Sequence, residues 1–277
     1  DANEGRTNEI DRVHLQLAGE WIGHMARYVA LTCEALARSI YGAAAKTSHT
    51  VTLHLFAQGL HNRPKNLRQV LQEEIDQISD KDYDAILLVY GMCGMSTVGL
   101  TARQTPLVIP RAHDCITLYL GSQQRYSQEF ERHPGTYWYS VDYMERQAAG
   151  ASVALGASGI ADSDAQYEEF VRKYGQENAD MLIEEMRGWS QHYTRAAFID
   201  MGSGDIRPYE ETAQAKASKE GWVFERMQGN PRLLNMLING EWPDDEFLVV
   251  PPGHTIKQTY GDRLVKAEPP TAAQVNG

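Results

Sequence analysis

Apolar residues fall along this chain in two rhythms: short dense runs, and longer stretches where they recur every three or four positions. "YVALT" at 28–32 reads as a strand, and "CEALARSIYGAAA" as the helix that follows it. "VTLHLF" at 51–56, rich in β-branched and aromatic residues, predicts a second strand. The loop "QGLHNRP" then leads to Pro64, which suits a first helical turn because its missing N–H is not needed there. "KNLRQVLQEEIDQI" places Leu67, Val70, Leu71, Ile75 and Ile78 on one helical stripe. "AILLVY" at 85–90 is apolar throughout, as expected of a strand covered on both faces in a parallel sheet. "PLVIP" predicts a fourth strand, and "CITLYLGSQQRYSQEF" a helical or mixed stretch.

Residues 123–192 read as mostly helical, broken early by a "HPGTYWYS" turn. "GASVALGASG" is a small-residue connection, and "DAQYEEFVRKYG" and "ENADMLIEEMRGWSQHY" are amphipathic. The strand–loop–helix rhythm then returns. "AAFID", "WVFERM" and "EFLVV" predict strands, with helices ended by Gly221 and Gly240 between them and "PPGH" as the exit loop. The expected class is α/β: two Rossmann-like lobes, 25–122 and 193–257, with mostly parallel sheets joined by a helical segment over 123–192. Residues 1–24 and 258–277 are read as extensions, with the tail "AEPPTAAQVNG" expected to be disordered. Right-handed crossovers set the strand-to-helix loops on one edge of each sheet, where ligands bind.

Composition narrows the class. The chain has 277 residues, 42% hydrophobic and 23% charged, as in ordinary globular domains. The formal net charge of −11 repels a phosphate backbone and argues against nucleic-acid binding. No apolar run approaches the ~18 residues of a membrane span, and the opening "DANEGRTNEIDR" lacks the apolar centre of a signal peptide. The three cysteines are too few and too odd in number for a disulfide framework, so a reducing, cytoplasmic setting is expected. The acid-rich "RQVLQEEIDQISDKDYDA" reads as a solvated helix face.

Those cysteines carry the candidate chemistry. Cys33 follows the first strand, Cys93 lies in "GMCGMS" after "AILLVY", and Cys115 ends "RAHDC" after "PLVIP". In a parallel sheet three β-to-α connections face one edge, so thiols distant in sequence are expected to meet. A free cysteine also packs as a small apolar side chain, so each one singly is weak evidence. Together they suit a soft metal. Three ligands with a fourth position open is the pattern of catalytic zinc, and a 4Fe–4S cluster with one open iron is the alternative. His113 could complete the ligand set, and His113 or His61 could move protons. Arg111 could clamp an anionic small-molecule substrate, with Asp114 beside it. Gln58, Asn62, Arg63 and Glu34 are expected near the same edge, and His54, within a strand, is expected to be packed. Gly91 and Gly94 around Cys93, and Gly202 and Gly204 in "MGSGD", would let backbone N–H groups approach a bound group. No complete G-x-G-x-x-G is present, because Arg207 stands where the third glycine would be.

"LTCEAL", "QGLHNRP", "YGMCGMSTVGL", "PLVIPRAHDCITLYLGS", "PGTYW", "YTRAAFIDMG" and "FLVVPPG" together resemble the domain of unknown function 1638 family of bacteria and archaea. The resemblance spans about residues 28–257, and "RAHDCITLYLGS" is its most specific block. It implies that Cys33, Cys93, His113 and Cys115 belong to the family's pattern. It also implies an association with corrinoid-dependent methyl transfer, and so a corrinoid protein as partner. The expected function is a metal-dependent enzyme, a transferase or lyase, with methyl or one-carbon transfer linked to corrinoid metabolism as the preferred reaction. The alternatives are a 4Fe–4S lyase, desulfidase or radical enzyme, whose layout is analogous to quinolinate synthase and diphthamide radical enzymes, and a non-enzymatic metal- or small-molecule-binding accessory protein.

Overall fold

A computed structural model describes residues 25–78, 83–146, 164–181, 192–261 and 263–270. It is an α/β structure built on two sheets of parallel strands. The first sheet contains β1 (Arg27–Cys33), β2 (Thr50–Phe56), β3 (Ala85–Val89) and β4 (Leu107–Pro110) in the order β2-β1-β3-β4, all parallel. Between them run α1 (Ala37–Ala44), reached through a 3₁₀ turn at Glu34–Leu36, and α2 (Pro64–Ile78). Every residue of β3 is buried, and β1 is buried from Tyr28 onward, because helices cover both faces. α2 turns Leu67, Leu71, Ile75 and Ile78 into the core, while Val70 sits at the margin of that stripe. Residues 79–82 of the acid-rich stretch lie outside the described residues.

After β4 come α3 (Cys115–Leu120) and α4 (Gln123–Arg132). The chain next forms β5 (Thr136–Ser140), and the short helix α5 (Val141–Glu145) follows. The segment expected to be mostly helical thus holds a strand, and the predicted turn "HPGTYWYS" supplies it. Its aromatic residues pair with the later strand β6 (Arg195–Asp200), a partner too distant for local periodicity to reveal. Helix α6 (Asp164–Tyr174) and a helical stretch at 176–181 lie between; the "GASVALGASG" connection and 182–191 lie outside the described residues. Helix α7 (Arg207–Glu220), ended by Gly221 at φ 72°, leads to β7 (Val223–Gln228) and completes the second sheet, β5-β6-β7, all parallel.

The chain then returns to the first sheet, so the lobe expected over 193–257 ends early. Helix α8 (Arg232–Ile238) packs on α1, β3 and β4, and β8 (Phe247–Val250) pairs antiparallel with β4. Strand periodicity predicted β8 correctly but could not tell which sheet it joins. Beyond it, β9 (Thr255–Gln258) and β10 (Val265–Glu268) form an antiparallel pair. Ala267 and Glu268, from the tail expected to be disordered, belong to β10; residues 271–277 and 1–24 lie outside the described residues.

The two sheets share packing. Trp138, Ala197, Ile199 and Met227 of the second sheet enter the core of the first, while Tyr137, Tyr139, Ala196 and Phe198 pack under α7. Buried Asp142 of α5 accepts hydrogen bonds from the Arg38 and Ser39 amides and the Ser39 hydroxyl. The strand order places a topological switch point between β1 and β3, because the connections from these neighbours leave in opposite directions. Their carboxyl ends open a crevice there.

Candidate functional site

A cavity of about 320 Å³ occupies this switch point. Each cysteine reaches it from a different connection: Cys33 as the last residue of β1, Cys93 from the loop after β3, and Cys115 as the first residue of α3. Leu36, Pro64, Val89, Tyr90, Ile116 and Tyr143 supply most of the remaining wall, with His113 and Asp114 beside them.

Close backbone packing fixes the second and third cysteines. The Met92 amide donates to the Ala112 carbonyl at 2.9 Å and the Cys93 amide to the His113 carbonyl at 3.1 Å, which staples the two loops together. Gly91 makes this approach feasible: a Cβ there would lie 2.7 Å from the Asp114 Cα and nitrogen and 2.9 Å from the Ala112 oxygen. The loop then winds left-handed through three consecutive residues, Cys93 at φ 43°, Gly94 at 63° and Met95 at 72°. Two of these carry side chains, which stores strain at the thiol-bearing turn. Hydrogen bonds from Arg68 Nη2 to the Met95 carbonyl and from the Ser96 amide to the Met92 carbonyl hold it.

Asp114 does two things. One oxygen caps α3, accepting from the Ile116 and Thr117 amides at 2.9 and 3.2 Å. The other sits 3.1 Å from His113 Nδ1 and accepts from the Tyr126 hydroxyl at 3.2 Å. Tyr126 of α4 stacks on the His113 ring, with centroids 5.6 Å apart. The imidazole side chain is 54% exposed, and the adjoining Asp114 carboxylate raises its pKa above the usual histidine value.

The thiols are held in their neutral form. Burial pushes Cys33 up to about 11, with a smaller contribution from Glu34. Burial raises Cys93, as do Asp114 and Cys33, while backbone hydrogen bonding from Gly91 and Cys115 works in the opposite direction. Cys115 is raised well above its ordinary value by burial, then by Cys93, Asp114 and Cys33. No Lys or Arg is among the lining residues to offset this. Among the described residues, no group of three His, Cys, Asp or Glu side chains is gathered closely enough to hold a metal ion as it stands.

Other expected site residues go elsewhere. Arg111 is not an anion clamp: it is 5% exposed and turned toward the antiparallel edge. Its Nε donates to the Asp244 and Phe247 carbonyls, Nη1 to those of Arg263 and Val265, and Nη2 to the Asp244 carboxylate. This guanidinium pins the chain's late segments to β4. Gly202 and Gly204 lie after β6 in the second sheet, where Gly204 packs on the Arg38 guanidinium, and neither lines the cavity. Gly94 lines it, and Gly91 shapes it from behind. Glu34 accepts from the Gln58 amide at 3.3 Å without reaching the lining, and His54 pairs with Glu74 at 2.7 Å. Arg63 does not line the cavity; His61 and Asn62 fall in the 3₁₀ turn Gln58–Asn62, and their side chains lie outside the described residues. Sequence reasoning missed Tyr90, Tyr126 and Tyr143. Tyr90 had one signal, an aromatic hydroxyl at the carboxyl end of a fully apolar strand; the other two had none.

No described helix is long and apolar enough to cross a membrane. Comparison with curated proteins gives no match, and neither does comparison with solved structures. One family model, described as "Protein of unknown function (DUF1638)", matches residues 55–238, which run from the last two residues of β2 through α8 and take in two of the three cavity cysteines. The chain belongs to this family.

Proposed function

We propose that the cavity is the active site of a metal-dependent enzyme, with Cys33, Cys93 and Cys115 as thiolate ligands. The observation that carries this reading is the arrival of three thiols from three separate β-to-α connections at one cavity on the sheet's carboxyl edge. Electrostatics support it. Buried thiols whose thiolate forms would repel one another, with no lysine or arginine among the lining residues, are poor nucleophiles. A bound cation reverses that balance, because a coordinating thiol gives up its proton. The donor set is soft, and three thiolates would leave a fourth position of a bound metal for substrate.

Zinc is the first candidate, and it would supply a Lewis acid and template for a substrate thiol or methyl-bearing group. A 4Fe–4S cluster with one open iron is the second. Such a cluster would spread its cysteine ligands over separate irons rather than gather them on one ion. In either case His113, oriented through Nδ1 by Asp114, would give or take a proton beside the cavity through its other ring nitrogen. Methyl or one-carbon transfer, with a corrinoid protein as partner, rests on the family resemblance.

The test is anaerobic purification followed by zinc and iron analysis and a visible spectrum. About one zinc per chain supports the first candidate; iron with broad visible absorbance supports the second. Neither metal in folded protein overturns the proposal. So does a folded Cys93→Ser variant that keeps its full metal content.

A further inference from the structure

Tyr90 closes the carboxyl end of β3 and lines the cavity, and it is 2% exposed. Its hydroxyl has no hydrogen-bond partner among the described residues. Buried hydroxyls are nearly always paired, and phenylalanine would fill this volume without stranding a polar atom. Tyr90 shares the cavity wall with Cys33 and Cys93, so it belongs to the thiol end of the cavity. Burial keeps the phenol protonated, which leaves it a donor in search of an acceptor.

The rest of the wall restricts what that acceptor belongs to. The described lining carries one carboxylate, Asp114, and no Lys or Arg, and its one histidine, His113, is already paired with Asp114, so an anion would meet no unpaired cation. At about 320 Å³ the cavity is at the small end of ligand sites, roughly 300–1,000 Å³. Leu36, Pro64, Val89 and Ile116 offer it an apolar bed. We infer that Tyr90 donates a hydrogen bond to a compact, uncharged ligand that carries one oxygen or nitrogen acceptor on an apolar body. This deepens the reading of the cavity as the active site but does not depend on which metal, or whether any, is bound.

Three probes that share a five-membered ring test the inference: cyclopentanone, cyclopentanecarboxylate and cyclopentylammonium. Their affinities for the purified full chain and for Tyr90→Phe are read by saturation-transfer NMR, and metal content and melting temperature are measured on the same samples. The ketone is expected to bind tightest, and the variant to weaken it by roughly three- to tenfold, the scale of one neutral hydrogen bond. The variant is expected to melt at the same temperature or higher, since it removes an unpaired polar atom. The inference is overturned if the ketone does not bind, if either charged probe binds more tightly, or if Tyr90→Phe leaves ketone affinity unchanged. A lower melting temperature for the variant also overturns it, because the hydroxyl would then be serving the fold. Tyr90-dependent ketone binding by metal-free protein supports the inference while removing the metal proposal. Metal retained with Tyr90-independent ketone binding does the reverse.

Discussion

Gly91→Ala is the sharpest perturbation of the site's architecture. Gly91 does not have a positive φ, so alanine meets no backbone strain there, and the whole effect is steric. The added Cβ would lie 2.7 Å from two backbone atoms of Asp114 and 2.9 Å from the Ala112 carbonyl oxygen, none of which can swing aside as a side chain tip can. The loops must separate, which strains or breaks the bonds from Met92 to Ala112 and from Cys93 to His113. Overpacking costs about 1–3 kcal/mol, and each lost hydrogen bond about 1 kcal/mol. A total near 3 kcal/mol corresponds to a melting temperature lower by roughly 6–12 °C. Gly42→Ala is the matched control: this exposed glycine of α1 has nothing within 4 Å of where the added methyl would sit, and alanine there gains about 1 kcal/mol of helix propensity. Urea unfolding of both variants, with the rate of thiol labelling, reads the result. Gly91→Ala as stable as the parent, with unchanged labelling of Cys93 and Cys115, would refute the claim that loop contact positions the cysteines.

Two further substitutions separate structural from site roles. Asp114→Asn keeps the α3 cap, since asparagine caps as well as aspartate, but removes the charge that raises His113. NMR titration of the ring is expected to show a lower midpoint in the variant, and an unchanged midpoint would refute the pairing. The charged His113–Asp114 pair contributes stability fully below about pH 6.5, the unfolded value, and loses it as pH rises through the higher folded pKa. His113 is half exposed, so screening keeps this effect on melting temperature small. Arg111→Lys is expected to destabilise the chain by about 2–4 kcal/mol, because lysine cannot span the carbonyls the guanidinium joins. Cyclopentanone binding should be unaffected; changed binding with intact stability would place Arg111 in the site after all.

The order of strands and helices was largely legible because burial leaves a local trace. The unbroken apolar run at Ala85–Val89 and the stripe through Leu67, Leu71 and Ile75 each reflect which faces are covered. The edge on which Cys33, Cys93 and Cys115 would emerge followed from the parallel order alone. Partner choice was not legible. The strand Thr136–Ser140 hid within a turn-like motif, and Phe247–Val250 was assigned to the wrong lobe, because pairing partners lie far away in sequence. Arg111 shows the same gap at the level of one side chain: its loop position suggested the cavity, and only the late return of the chain gave its donors acceptors elsewhere.

Residue pattern by itself determined the α/β class, the parallel strands and the three sulfur-bearing loops, since these depend on neighbours a few positions apart. Tertiary structure alone decided that the Tyr90 hydroxyl would be buried without a partner among the described residues, that Asp114 would hold His113, and that Arg111 would face away. Those outcomes depend on which distant atoms fill the space around each group, and a hydrogen bond is made or lost over distances that no spacing along the chain encodes.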